Sequence, residues 1–463
     1  MTGNWPTKPL GELLELVIDH RGKTPNKMGF KNFHDCGYPV LSAKHVKMDQ
    51  LVNLESIRYS NERMYKKWMK VEIQEGDIVL TSEAPLGQVL YLDGKIKYLL
   101  GQRVFGLRPN KELINPLYLS AWLASPKGQS LLEARATGST VLGIKQAELL
   151  RVEVDIPPEH VQEVIARTRY DLVQKIELNT QTNQTLEQIA QAIFKSWFVD
   201  FDPVKAKIAV LEAGGTAEQA ELAAMSAISA QDESALKQLQ AEQPEAYAEL
   251  AQTAALFPAV MEESELGLAP KGWKVSKLAS YTTELRRGIS PKYVEDGGVS
   301  VINQKCIRNH TIDFTLARRH DSSKRKIDGR EVEIGDVLVN STGVGTLGRL
   351  SPVRYLEEVT VVDSHVTVVR ADISKISKSF LAGLMIQNES YIEASGAGST
   401  GQTELRKHVL EDIVFTHPSH ELDHKFNAIA NSINRQIAEL EKQQSTLACC
   451  RDSVIPKLLS GKL

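Results

Sequence analysis

The sequence predicts an α+β chain: two duplicated mixed α/β domains joined by two long antiparallel coiled-coil helices, related by a pseudo-two-fold. Three observations lead there. A Gly-Ser-Thr stretch occurs in ATGSTVLGIKQAELLRVEVDIPP (136–158) and again in GAGSTGQTELRKHVLEDIVFTHPS (396–419), each time before an apolar run that ends at Pro. Further matched stretches extend the repeat through most of each half. Each half then closes on a long run of helical periodicity.

The matches appear in chain order. Trp5 and Leu10 match Trp273 and Leu278. HRGKTP (20–25) matches RRGISP (286–291), and YPVLSAKHVKM (38–48) matches VSVINQKCIRN (299–309). EIQEGDIVLTSEAPLGQV (72–89) matches EIGDVLVNSTGVGTLGRL (333–350), with Gly76-Asp77 against Gly335-Asp336 and Leu86-Gly87 against Leu347-Gly348. The offset drifts from 268 to about 260 and settles near 261, as in a duplication with loop changes. Short apolar runs broken by Gly, Asn, Asp and Pro, as in DIVLTSEAPLGQVLYLDG and TVVDSHVTVVRAD, read as short strands. PLYLSAWLASPKGQSLLEARA (116–136) and SKSFLAGLMIQNESYIEASG (377–396) read as a helix in each domain, just before Gly-Ser-Thr.

The closing segments carry apolar residues three and four apart. They are Ile165, Leu172, Ile176, Leu186, Ile193 and Trp197 in the first half, and Phe426, Ile429, Ile433, Ile437, Leu440 and Leu447 in the second. Adding 261 to Ile165, Leu172, Ile176 and Leu186 lands on Phe426, Ile433, Ile437 and Leu447. Helices of about 38 residues, about 57 Å each, are too long to pack only on their own domains, so they are expected to pack on each other. The layout is a domain at 1–158, a helix at 159–204, an insertion or linker at 205–267, a domain at 268–418 and a helix at 419–463. The insertion is Ala-rich, acidic and expected to be helical; nothing like it follows the second helix.

Composition narrows the class. A chain of 463 residues with 42% hydrophobic residues supports two or more domains with real cores. No apolar run is long enough to cross a bilayer, and the start MTGNWPTKPLGELLELVIDHRG lacks the pattern of a secretory signal. Cys36, Cys306, Cys449 and Cys450 form no CxxC pair and read as reduced thiols of a cytoplasmic protein. The net charge of −3 hides an asymmetry: residues 199–267 hold 13 acidic and 3 basic residues, which leaves the remainder at +7. A mildly basic remainder is compatible with nucleic acid.

Motifs for chemistry are weak. Residues 343–348 spell GxGxxG, and Asp363 lies 20 residues beyond Gly343. A dinucleotide fingerprint needs a helix next, whereas RLSPVRYLEEVTVVD follows, broken by Pro352 and rich in β-branched residues. Both this loop and its match at 83–87 read as turns between strands. Phe201-Asp202-Pro203-Val204 resembles the adenine methyltransferase motif but lacks its Pro-Pro-aromatic continuation, and no GxxxxGK[ST] occurs. His417, His420 and His424 have ligand-like spacing, but Pro418 interrupts them, and they read as a domain-to-helix hinge rather than a metal site.

Three stretches carry a family likeness. LEQIAQAIFKSWFVDFDPVKAK (186–207) resembles the central conserved region of the specificity subunits of type I restriction–modification systems. LAPKGWKVSKL (268–278) resembles the opening of their second target-recognition domain, and RDSVIPKLLSGKL (451–463) their C-terminal ending. With the duplication, the resemblance covers nearly the whole chain; the acidic insertion is longer than the family minimum. It implies that each target-recognition domain reads one half of a split, asymmetric target in double-stranded DNA. The helices would act as ruler and as docking surface for two methyltransferase subunits, with motor-nuclease subunits joining for cleavage. It also implies no catalysis and no cofactor in this chain, and no membrane. S-adenosylmethionine, ATP and Mg would belong to the partner subunits.

Base reading needs donors and acceptors at groove edges, with Arg and Lys at phosphates. In the first domain the matched loops offer Arg21, Lys23, Ser42, Lys44, His45, Thr81, Ser82, Gln102 and Arg103. In the second they offer Arg286, Arg287, Asn303, Gln304, Lys305, Asn340, Ser341, Thr342, Ser364 and His365. Gly138, Ser139 and Thr140, with Gly398, Ser399 and Thr400, are candidates for phosphate contact or for a structural helix-to-strand turn; Gln146 and Glu404 follow them. Two other readings compete: a scaffold whose duplicated modules bind proteins or glycans, and a cofactor-binding enzyme using the 343–348 loop.

Overall fold

The computed structural model describes residues 5–138, 140–396 and 404–461. They form two compact units, Met1–Gln181 with Glu441–Leu463, and Thr182–Leu440. The two long helices are Glu159–Phe198 and His420–Leu459, of 40 residues each, so each contributes one stretch to each unit.

In the first unit the domain is built on an antiparallel sheet ordered Leu14–Asp19, Val104–Pro109, Ile78–Thr81, Val89–Tyr91. A second sheet sets Tyr38–Leu41 between Arg58–Ser60, antiparallel, and Leu99–Leu100, parallel. Thr7–Pro9 pairs with Glu153–Asp155 where the chain leaves for the long helix. Helices Pro116–Ala124 and Pro126–Ala134, each with Pro in the first turn and a capping Asn or Ser, cover the main sheet; Tyr118, Leu119 and Trp122 are wholly buried there.

The second unit repeats this plan and adds an edge strand, Tyr293–Val294, beside Arg318–His320, and a hairpin, Met261–Ser264 with Gly267–Pro270. Its main sheet is ordered Thr282–Arg287, Val366–Ala371, Val337–Asn340, Leu350–Pro352. Val299–Ile302 lies between Arg318–His320, antiparallel, and Thr360–Val362, parallel, and Lys274–Lys277 pairs with Val414–His417. The matched Gly-Asp pairs now have a cause. Asp77 takes a two-pronged ion pair from Arg108 at 2.8 and 2.7 Å, and Asp336 takes one from Arg370 at 2.7 and 2.7 Å. Both carboxylates are 1% exposed, so each fork joins two sheet strands from inside. The GxGxxG loop joins antiparallel strands Val337–Asn340 and Leu350–Pro352 with no helix after it.

The helices run antiparallel within each unit. In the first, Gln444 Nε2 donates to Thr180 Oγ1 at 2.8 Å and Asn179 Nδ2 to Gln443 Oε1 at 3.3 Å, while Leu458 and Leu459 pack against the core that holds Ile165. In the second, Phe194 and Trp197 meet Phe426 edge-on at 5.6 and 6.1 Å. Ile165, Ile176, Trp197, Phe426 and Ile437 are buried, and Leu172, Leu186, Ile193, Ile433, Leu440 and Leu447 half-buried. One expectation is corrected: Ile429 is 39% exposed. Phe426 and Ala430 occupy the buried face, and Ile429 points about 100° around the helix from Ala430. The first helix also ends earlier than 204, at Phe198. Phe201 takes a left-handed φ of 57°, and a new helix, Asp202–Glu212, starts with Pro203 in its first turn.

The acidic segment contains that helix and three more, Ala217–Ser229, Glu233–Glu242 and Pro244–Ala255, around Ala224, Met225, Leu236 and Ala254. Buried Lys207 ties them together, donating to Glu221 at 2.7 Å and to the Phe257 carbonyl at 2.8 Å.

Each domain grips a long helix through the tip of a two-residue hairpin. In the first, Asp49, at φ 61°, accepts from Arg169 of the first long helix at 2.7 Å; Arg451 of the second stands 3.7 Å away. In the second, the equivalent His310, at φ 55°, reaches Glu187 of the first long helix at 3.2 Å and Glu389 at 2.7 Å. The charges are reversed between the two grips. Arg354 completes the second, donating to Glu187 at 2.9 Å, to the His310 carbonyl at 2.6 Å and to Asn434 at 3.3 Å.

Candidate nucleic-acid interface

The loops at one end of the first domain's main sheet enclose two neighbouring clefts. The larger, about 450 Å³, brings together Lys23, Ser42, Lys44, His45, Gln102 and Arg103, with Arg58 added and Phe33 and Trp68 as aromatic walls. No carboxylate lines it. The second, about 420 Å³, shares Gln102 and Arg103 and adds Arg21, Ser82, Glu83, Thr137, Val141 and Lys145. Two cationic concavities meeting at an exposed Gln-Arg pair suit a polyanion whose edges carry acceptors. Arg58 was missed in the sequence, although IRYSN (57–61) against ARRHD (317–321) extends the repeat and pairs Arg58 with Arg318. Each of these arginines lies over an aromatic ring, Arg58 over Phe33 at 5.9 Å and Arg318 over Tyr293 at 3.3 Å.

Several candidates have internal duties instead. Thr81 is wholly buried; its hydroxyl donates to the Pro85 carbonyl at 2.6 Å and accepts from Gln88 N–H at 2.8 Å. Ser82 is buried and serves through its main chain. His45 is buried too, and burial together with Lys44 holds its imidazole below the usual range, so it is mainly neutral at pH 7. In the second domain Asn303 donates to the Leu316 carbonyl, Asn340 to the Gln304 carbonyl, and the Ser341 hydroxyl is hydrogen-bonded to that of Thr367 at 2.5 Å; all three are buried. These side chains are corrected from groove-facing to loop-fixing. Polar type and loop position could not distinguish the two roles.

Arg21 and Arg287 are also committed. Arg21 forks onto Asp19, lies 3.9 Å over the Phe105 ring and donates to the Ile144 carbonyl at 3.2 Å. Arg287 pairs with Glu404 at 2.6 Å and donates to the Leu405 carbonyl at 3.0 Å. Arg286 pairs with Glu284 at 2.6 Å and reaches the Gly329 carbonyl. Lys305 and His365 are exposed, and Gln304, Thr342 and Ser364 half-buried.

The Gly-Ser-Thr device is legible in the first domain. Thr137 and Gly143 exchange main-chain hydrogen bonds at 2.9 and 3.0 Å and so stand side by side. Gly138 sits at φ 122°, and a Cβ there would stand 2.2 Å from the Val141 carbonyl, so only glycine fits. The loop returns to the sheet through Ile144 N–H on the Ser82 carbonyl, and its tip, including Thr140, is exposed. Ser139, Gly398, Ser399 and Thr400 lie outside the described residues. The second copy's return is described and identical in kind: Leu405 N–H donates to the Ser341 carbonyl at 2.8 Å.

His417 turns to Asp423 at 3.4 Å, while the His420 and His424 rings lie tilted against each other with centroids 5.5 Å apart. Among the described residues no group of three His, Cys, Asp or Glu side chains is placed to hold a metal ion, and no helix is long and apolar enough to cross a membrane.

Comparison with known proteins places the chain in a family. Residues 2–188 match the family model of the type I restriction modification DNA specificity domain. The chain is 30% identical over 418 residues to the type I restriction enzyme HindI specificity subunit of Haemophilus influenzae, covering 85% of this chain and 88% of that one. It is 27% identical over 208 residues to the type I restriction enzyme MjaIX specificity subunit of Methanocaldococcus jannaschii, 44% of this chain and 45% of that one. Among solved structures, the type I restriction-modification S subunit from M. genitalium shares the fold at a TM-score of 0.51 and 13% identity, over 98% of this chain and 96% of that chain.

Proposed function

The chain belongs to the specificity subunits of type I restriction–modification systems, and from that premise we propose that each mixed domain reads one half of a split, asymmetric DNA target. In this reading the paired helices space the two halves and dock two methyltransferase subunits. Motor-nuclease subunits join them, and methylation and cleavage are carried out by those partners with S-adenosylmethionine, ATP and Mg. One observation carries it: two copies of one fold hold the same loop frame but present different exposed side chains, as two readers of two different half-sites should. The cationic clefts supply the sequence-independent part of the affinity, which must fall as salt rises.

The test is a genome-wide map of methylated adenines in the source strain, with and without this gene. A split, asymmetric motif that is methylated in the parent and lost on deletion is the expected result. A methylation pattern indifferent to the gene, in a strain where methyltransferase subunits co-purify with the chain, would overturn the proposal.

A further inference from the structure

Both domains fix the turn after their third main-sheet strand with the same three contacts. Ser82 N–H donates to the Arg103 carbonyl at 2.9 Å, and Ser341 N–H to the His365 carbonyl at 2.8 Å. Ile144 N–H donates to the Ser82 carbonyl at 2.9 Å, and Leu405 N–H to the Ser341 carbonyl at 2.8 Å. Arg21 and Arg287 then lock the returning loop by its carbonyls at 144 and 405. On this shared frame, the residue after the serine meets the residue whose carbonyl the serine holds. In the first domain that pair is Glu83 and Arg103, Oε1 to Nε at 3.2 Å. In the second it is Thr342 and His365, Oγ1 to Nδ1 at 2.7 Å.

The frame is constant and the pair differs, which is the pattern expected where specificity resides. We infer that Glu83–Arg103 and Thr342–His365 are equivalent base-reading pairs, each setting one position of its half-site; this rests on the reading proposed above. Arg103 is 56% exposed at the junction of the two clefts. It stands at φ 64°, a conformation disfavoured for residues with a Cβ, and such outliers cluster at functional sites. Glu83 holds the guanidinium through Nε and leaves both terminal nitrogens to bind O6 and N7 of a guanine side by side. In the other pair the Thr342 hydroxyl occupies Nδ1 of His365, so the imidazole meets a base edge through Nε2 alone. One hydrogen bond discriminates less than two. The first half-site is therefore expected to show a strict guanine at this position, and the second a looser preference.

Exchange of the pairs tests this. Glu83→Thr with Arg103→His, and separately Thr342→Glu with His365→Arg, are introduced into the full gene with its partner subunits, and the methylated motif is mapped. The first exchange is expected to relax one guanine position in one half-site, by about tenfold in preference, and leave the other half-site and the spacer as in the parent. The second is expected to tighten one position of the other half-site towards guanine. Arg103→Lys keeps the charge without the fork and covers the case in which the exchanges do not accumulate as folded protein; it is expected to relax the same position while methylation persists. Unchanged motifs would overturn the inference. So would a uniform loss of affinity for all DNA sequences with a shallower salt dependence, the signature of a phosphate contact. A parent gene that directs no split motif would instead overturn the proposed function, and this inference with it.

Discussion

Asp336 illustrates what a matched residue does in a duplicated domain. Its carboxylate is 1% exposed, accepts both prongs of Arg370 and takes the Glu333 N–H at 2.7 Å; removing it leaves the guanidinium, 16% exposed, to Glu333 at 2.6 Å and Glu284 at 3.5 Å. Breaking such a pair from one side costs about 3–5 kcal/mol. Asp77→Ala, which leaves Arg108 with the Glu72 carbonyl, is thus expected to lower the unfolding free energy by about that amount in a urea titration, and Asp336→Ala by less, because Glu333 still pairs with Arg370. A loss under about 1 kcal/mol would show that water reaches the fork. The Gly-Asp repeats were visible in the sequence because both residues are constrained. Their arginines were not, because Arg108 lies 31 residues from Asp77 and Arg370 lies 34 from Asp336, a separation that only the sheet closes. The same holds for Arg21 and Ile144, 123 residues apart, and it is why Arg21 was expected at DNA and is found locking a loop.

At the scale of elements, the grip of the second domain on the first long helix is the most testable feature. Burial alone would lower the His310 pKa, but its hydrogen bonds to the Glu187 and Glu389 carboxylates outweigh it and raise the pKa from 6.5 to about 9. Arg354 and Gln191 also face this histidine. A raised pKa adds stability that is complete below pH 6.5 and is lost as pH climbs through about 9. The difference in melting temperature between the parent and His310→Gln is therefore expected to be largest near pH 6 and to shrink by pH 10; a difference independent of pH would mean the imidazole is not charged in the folded state. The helices themselves were legible from apolar spacing, with Ile429 the exception. The polar layer of Asn179, Thr180, Gln443 and Gln444 was not, since a search for apolar periodicity passes over the polar residues that fix a register. The early end at Phe198 was missed because the motif running through Phe201 and Pro203 reads continuously while its backbone reverses at φ 57°.

At the scale of the whole molecule, duplication was the strongest sequence signal, and it survives in the two main sheets, whose strand orders match, and in two loop returns tied to a buried serine. The candidate site was legible as a set of loops but not as a list of side chains. Burial separates Thr81, Ser82, Asn340 and Ser341, which shape the loops, from Gln102, Arg103 and His365, which face outward, and burial depends on partners distant in sequence. Two domains with their own cores should read DNA independently. The most direct test replaces residues 1–155 with the matching domain of a relative of different specificity and maps the methylated motif. One half-site is expected to change to that of the donor while the other half-site stays as in the parent. A change in both half-sites would contradict independent reading by two copies of one fold.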